Sequence, residues 1–339
     1  MRPIRTQRAA FTHSTHHAHD MSNTWFHFVS ALLPDTLSKS DLIKRARACE
    51  IETAVREVLH QPDSHVDYEH GARAELYWIT LQKVLSAFDG LRAIILKGPA
   101  LSERLFGTTG FRQTSDIDIW IAKEDMPLAD ERLKQMGYCP HPPMRPWATN
   151  QTLYTPPNPL FLPVEIHWAL TQPPLHTPDF EEVWQKHQAY HHQNIDCFTL
   201  DDTYTMLGLI FHALQHVWAI KPWIDLAAAV DKLKVDENII RRFKVYHIYL
   251  FINEVVLLEP TYRARLFRRI LREGLCHNRI GTLIIGKDST LEAAFGATSR
   301  MGSMLFVDGV CYPMETLFFH IALGIDIIFH KLKQHTHHV

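Results

Sequence analysis

The 339-residue chain predicts an α+β protein, with a small α/β core near residues 90–170, a helical lead-in and a largely helical remainder. Three observations carry that prediction. Ala74, Leu76, Tyr77, Ile79, Leu81, Val84 and Leu85 recur at helical spacing in a broad apolar stripe. Asp116–Ile121 and Val164–Leu170 instead alternate, with acids set among apolar residues at the two-residue period of a strand. From Asp179 onward the pattern reads as mainly helical again.

In chain order, residues 40–60 and 70–88 predict the lead-in helices, and Gly90 closes the second. Leu91–Leu96, rich in Ile, predicts a buried strand. Gly98-Pro99 follows it. Proline is tolerated in the first helical turn, where its missing N–H has no partner to lose, so a helix should run from there to about Phe106. Gly107–Gly110 is a loop. Asp116–Ile121 predicts a half-buried strand, and 125–136 a helix ended by Gly137. Pro140–Pro163 is dense in turn signals and predicts loop or edge strand. Val164–Leu170 predicts a second alternating strand. Helices are expected at Asp179–Gln188, Asp201–Val217, Trp223–Leu233, Asn238–Leu258 and Thr261–Arg272. Pro173, Pro174 and Pro178 mark 171–178 as a linker, dividing the chain into a weakly ordered leader (1–38), a core with its lead-in (39–172) and a helical domain (179–332).

Composition narrows the function classes. A chain that is 46% hydrophobic and 21% charged can bury a substantial core. Its formal charge of -2 argues against wholesale binding to nucleic acid or acidic membranes. Five scattered cysteines, none in a CxxC pair, fit a reducing cytoplasm and show neither a zinc nor a disulfide framework. The acid-free start, with Arg2, Arg5 and Arg8, lacks the apolar run of a signal peptide; it reads as a leader, and Met21 is an alternative start. Residues 314–329 are nearly all apolar but are broken by Glu315, His320 and Asp326, and they fall short of the ~20 residues of a spanning helix. They predict a buried or partner-packing helix. Six arginines between Arg263 and Arg279 read as a solvated helical face, with nucleic-acid contact the less favoured alternative.

The acids carry the chemistry. Asp116 and Asp118, two apart on a strand, face the same way about 6–7 Å apart along the backbone. Ile117, Ile119 and Ile121 bury the other face and so fix the orientation of the acids. Glu165, on another strand between Val164 and Ile166, supplies a third oxygen ligand of the kind Mg²⁺ prefers. Upstream, Lys97-Gly98-Pro99 sits at a strand-to-helix junction. Unpaired N–H groups there suit a phosphate, Gly98 removes an obstructing side chain and Lys97 adds charge. Such parts perform phosphoryl or nucleotidyl transfer.

Ile94-Ile95-Leu96-Lys97-Gly98-Pro99-Ala100-Leu101, Arg112, Ser115-Asp116-Ile117-Asp118-Ile119 and Val164-Glu165-Ile166-His167-Trp168, in that order, resemble the uncharacterised bacterial nucleotidyltransferase family of the DNA polymerase β-like superfamily. His212-x-x-x-His216 and Trp223-Ile224-Asp225-Leu226 resemble that family's helical-domain signature, so the match covers roughly 70–260. The resemblance implies a mixed sheet with flanking helices, Mg²⁺ (or Mn²⁺) dependence, and transfer of a nucleoside monophosphate from a triphosphate such as ATP to an unidentified acceptor. Asp116, Asp118 and Glu165 would hold the metal, and Lys97, Gly98, Arg112 and Ser115 would meet the nucleotide. The broader superfamily's Gly-Ser is Gly98-Pro99 here, which removes a hydroxyl from the phosphate turn.

Other residues keep two readings. His212 and His216 share a helix face, but Ala213 excludes a His-Glu-x-x-His metalloprotease. They are a structural or orienting pair, with Asp225 as a partner for one imidazole, or they contact a substrate. Arg112 either forks onto a triphosphate or bridges a core acid. His167 shares the face of Glu165, and Trp168 should fill the core. The alternative functions are a phosphotransferase using the same cleft, and a non-catalytic partner protein docking through 314–329.

Overall fold

The computed structural model describes residues 38–48, 50–141, 149–172, 175–216 and 220–243, with 25, 26, 29, 30, 245, 246 and 249. The lead-in expected as one helix over 40–60 is two, α1 (Lys39–Ala48) and α2 (Glu52–Val58). Glu50 breaks them apart with φ 57°, a left-handed conformation for which no glycine or proline gives warning. Buried Glu52 then accepts from both Arg47 and Arg56. Next comes α3 (Ser64–Ala87), longer than its apolar stripe because Asp63 accepts from the His65 N–H at 3.0 Å and caps it.

The remaining elements are β1 (Ala93–Ile95), α4 (Pro99–Phe106), β2 (Ile117–Ile121), α5 (Met126–Gln135), β3 (Cys139–His141), β4 (Gln151–Thr155), β5 (Val164–His167), α6 (Phe180–Trp184), β6 (Gln188–His192), β7 (Ile195–Thr199), α7 (Asp202–Gln215), α8 (Ile220–Lys232) and α9 (Glu237–Arg242). The strands form one sheet in the order β3-β4-β5-β2-β1-β7-β6. β2 runs parallel to β5, and β1 parallel to β7; the other neighbours are antiparallel, so the sheet is mixed.

Two departures from the sequence reading matter. Residues 188–199, where the sequence reading ended one helix and assigned no element before the next, form the hairpin β6–β7, so the sheet takes strands from both sides of 171–178. And β2 is buried on both faces rather than one, down to Asp118 at 3% exposure. The cause is that helices cover both sides. Ile117, Ile119 and Ile121 pack with Tyr77, Leu81 and Val84 of α3 and Leu133 of α5. On the opposite face, Trp120 and Ile94 join Leu105 of α4 and Leu207, Ile210 and Phe211 of α7. The first face is as the alternation predicted; the second shows that the acid face is roofed.

Pro140–Pro163 supplies β4 and the edge strand β3, and Trp168 is half-buried just beyond β5. Trp25 and Val29, from the segment read as a leader, are buried, with Trp25 against Phe106 and Phe111. Among the described residues no helix is long and apolar enough to cross a membrane. The apolar run 314–329, the arginines of 263–279, the helix at 261–272 and most of Asn238–Leu258 lie outside the described residues.

Candidate active site

Strand register builds the site. In the parallel β2–β5 pair Asp118 lies beside Glu165, and the two-residue period returns His167 to the same face. The ligand atoms of Asp118, Glu165 and His167 all lie within 4.8 Å of one another. Leu96 extends the ladder past β1 by donating its N–H to Asp118 O at 3.1 Å, which carries Lys97 to the cluster. Lys97 Nζ then reaches Asp118 Oδ1 at 3.1 Å.

His167 Nε2 lies 3.0 Å from the same Oδ1 and 3.8 Å from Glu165 Oε2. A carboxylate only accepts, so His167 carries its proton on Nε2. Its Nδ1 faces the Asn150 amide at 3.5 Å, and that amide donates to Ala169 O at 2.7 Å. Gln151 donates to Glu165 Oε2 at 2.7 Å. Asn150 and Gln151, at the start of β4, were not singled out by sequence reasoning. A polar pair next to a proline-rich stretch carries no signal of its own.

The carboxylates are tuned apart. Burial works against ionised Asp118, but Lys97 and His167 outweigh it and hold its carboxyl well below the usual carboxylate range. Glu165 is farther from both, with His167 Nε2 at 3.8 Å. Burial first, then the charges of Asp118 and Asp116, push it up to about 7 against the pull of Lys97 and the Gln151 hydrogen bond. Asp116, just ahead of β2, is raised by burial and by Asp118. The pocket therefore gathers more negative charge than Lys97 neutralises. That imbalance and the oxygen-rich donor set fit a hard divalent cation.

Gly98 is needed for a reason the sequence did not reveal. Its φ is +89°, and a Cβ there would meet the Tyr77 ring at 2.6 Å. Pro99 begins α4 as expected. Ser115 is exposed and donates to Asp116 Oδ1 at 3.2 Å.

Of the two readings of Arg112, the structure has the ion pair, and its acid is Asp225. Nε to Oδ2 is 2.9 Å with both side chains buried. Asp225 is thus bonded to Arg112, where an imidazole had been expected. Burial disfavours the Arg112 charge, but Asp225, Asp118 and Asp116 more than compensate and raise its pKa. His212 and His216 stack edge-on at 4.8 Å, and His212 lines a cavity with Glu165 and His167.

The loop 107–116 is held by residues that sequence reasoning passed over. Arg73 of α3 donates to Thr114 O and Ser115 O, Ser102 Oγ accepts from Arg112 N–H, and Lys221 donates to Gln113 O.

The mixed sheet sets Asp118, Glu165 and His167 together, with Lys97 on Asp118 beside the Gly98 turn, and the group whose ligand atoms lie within 4.8 Å of one another does not include Asp116. The family described as uncharacterised nucleotidyltransferase matches residues 68–254, more than half of the chain, and the chain belongs to that family. No curated protein matches it. Among solved structures, the solution structure of the antibiotic-resistance factor ANT(2'')-Ia is similar at 12% identity and a TM-score of 0.35, covering 61% of this chain and 99% of that one.

Proposed function

We propose that the chain transfers a nucleoside monophosphate from a nucleoside triphosphate to an acceptor hydroxyl, with Asp116, Asp118 and Glu165 holding Mg²⁺ or Mn²⁺. The carrying observation is Asp118 beside Glu165 in the β2–β5 register, with Lys97 on Asp118. A bound divalent ion would neutralise triphosphate charge and align the reacting oxygens. His167 orients Asp118 by donating from Nε2, and Asn150 holds the ring in that tautomer. Lys97 keeps Asp118 ionised, and would be available to a phosphate oxygen if the carboxylates held a divalent ion. The amide groups after Gly98 receive phosphate oxygens at the start of α4. The acceptor oxygen bonds to the α-phosphorus, the bond to the bridging oxygen breaks, pyrophosphate leaves with that electron pair, and the hydroxyl proton goes to solvent. Arg112 acts through Asp225 to fix the loop that presents Asp116. A cytoplasmic setting accords with the scattered cysteines, of which Cys139 and Cys197 are free.

The test uses α- and γ-labelled ATP with Mg²⁺ and a lysate as the acceptor source. Label from the α position on an acceptor, lost in Asp118→Asn, is the expected result. Label from γ alone makes the chain a kinase, and α labelling that survives Asp118→Asn refutes the site.

A further inference from the structure

Both lone-pair sites of one Asp118 oxygen are in use. His167 Nε2 donates to Oδ1 at 3.0 Å and Lys97 Nζ reaches it at 3.1 Å, and a carboxylate oxygen offers about two such sites. A divalent ion bonded to that oxygen at about 2.1 Å would stand within about 5 Å of the ammonium, where like charges repel strongly among buried groups. One donor has to leave before an ion binds there. The two differ in freedom. His167 belongs to an inner strand at 6% side-chain exposure, with the Asn150 amide against its other nitrogen. Lys97 lies past the end of β1 at 23% exposure, on a flexible four-carbon stem. It also borders two spaces. One is the pocket it shares with Glu165 and His167, and the other is a cavity of about 310 Å³ between α4 and the β6–β7 hairpin. Glu103 stands in the wall of the second, where the charge of Arg104 is matched by Asp202. An ammonium turned that way faces an acid.

We infer that Lys97 holds the divalent ion's place on Asp118, and yields it to the polyphosphate chelate of the ion and not to the free ion. The inference rests on the nucleotidyl-transfer reading above and deepens it by naming the form in which cation and triphosphate arrive. Charge separates the two forms. A free ion that displaces Lys97 takes its counter-ion and gives nothing back. A chelated ion brings phosphate oxygens, which accept from the displaced ammonium in charge-assisted hydrogen bonds. Position agrees with charge. Lys97 immediately precedes Gly98, and the first N–H groups of α4 form the phosphate site proposed there. The backbone is pinned, because Leu96 N–H donates to Asp118 O. The ammonium therefore passes from carboxylate to phosphate by turning about its own side chain. The acid cluster is closed to bare cations and opened by the substrate itself.

Mn²⁺ binding to the nucleotide-free full chain is followed by the EPR signal of the free ion at about pH 8, which keeps protons from competing at Glu165. Lys97→Met removes a like charge and should bind Mn²⁺ alone at least about fivefold tighter than the parent. With the manganese chelate of α,β-methylene-ATP the order should reverse, and the variant should bind about tenfold more weakly. The chelate of inorganic tripolyphosphate should show the same reversal, since phosphate and not the base draws Lys97 away. Lys97→Arg keeps the charge and should stay as weak as the parent toward Mn²⁺ alone. Lys97→Gln replaces Lys97→Met if the latter folds poorly by circular dichroism. A smaller gain for Mn²⁺ alone, or a nucleotide chelate that binds the variant as well as the parent, overturns the inference. If the parent still binds that chelate, the nucleotidyl-transfer reading stands without it. A parent that binds neither ion nor chelate removes both.

Discussion

Replacing Glu165 with Gln in the metal-free protein should change the pH dependence of stability more than stability itself. Glu165 rises from an ordinary 4.5 to about 7 because it is buried beside Asp118 and Asp116. Between those values the folded chain keeps a proton that the unfolded chain releases. Stability from this group is therefore complete below 4.5 and is lost as pH rises through 7. At about 1.4 kcal/mol per pH unit over that interval the loss is about 3 kcal/mol. Gln cannot titrate, is the same size, and can still accept from Gln151, so packing is nearly unchanged. Relative to the parent, Glu165→Gln should gain about 3 kcal/mol between pH 4.5 and 8. Urea unfolding at a series of pH values in EDTA measures it. Saturating Mg²⁺ should reverse the preference, because the parent then holds a cation the variant binds poorly. Below pH 7 the parent's Mg²⁺ affinity should fall by about tenfold per pH unit as one proton competes for the site. A variant-minus-parent difference constant to within about 1 kcal/mol across the range would refute the reasoning.

Two further substitutions test the scaffold. Gly98→Ala sets a Cβ 2.6 Å from the fully buried Tyr77 ring at a φ of +89°. It should cost about 2–4 kcal/mol by thermal unfolding, and a loss under about 1 kcal/mol would mean the turn has other room. Asp225→Ala strands a buried Arg112 and should cost about 3–5 kcal/mol. The double variant Arg112→Met with Asp225→Leu should lose clearly less than the two single changes combined, and strict additivity in urea unfolding argues against the pair.

The readable parts of the sequence were those fixed by local chemistry. Pro99 and Gly107 set both ends of α4. The isoleucines of β2 chose the buried face, and that choice aimed Asp118. What escaped was set by distant contacts or by turns without their usual residues. The β6–β7 hairpin turns at Gln193 with φ 52°, where no glycine marks it, and the polar Gln188–His192 has no apolar period. Its partner β7 does alternate, with Ile195 and Cys197 buried between exposed Asp196 and Phe198, so half of the signal was present. The partner of Arg112 lies 113 residues away on α8, beyond the reach of any spacing argument.

Those distant contacts bear on what counts as the site. The 107–116 loop carries Arg112, Ser115 and Asp116, yet its neighbours do not hold it by themselves. Arg73 reaches it from the lead-in, and Lys221 ties Gln113 O to Glu50 at 2.8 and 2.6 Å. Asp225 closes it through Arg112. Each clamp spans a long stretch of chain, and ordering that stretch opposes folding entropically. The retained charge pairs are worth that cost only if the loop must not move. Asp116, the proposed ligand with no strand beneath it, is the group that most needs such fixing, because a carboxylate oxygen misplaced by about 1 Å would no longer reach a shared ion. The helical regions on either side of the sheet are therefore part of the acid cluster's geometry. Lys221, itself lowered in pKa by burial and by Arg112, links them where the charge is hardest to keep.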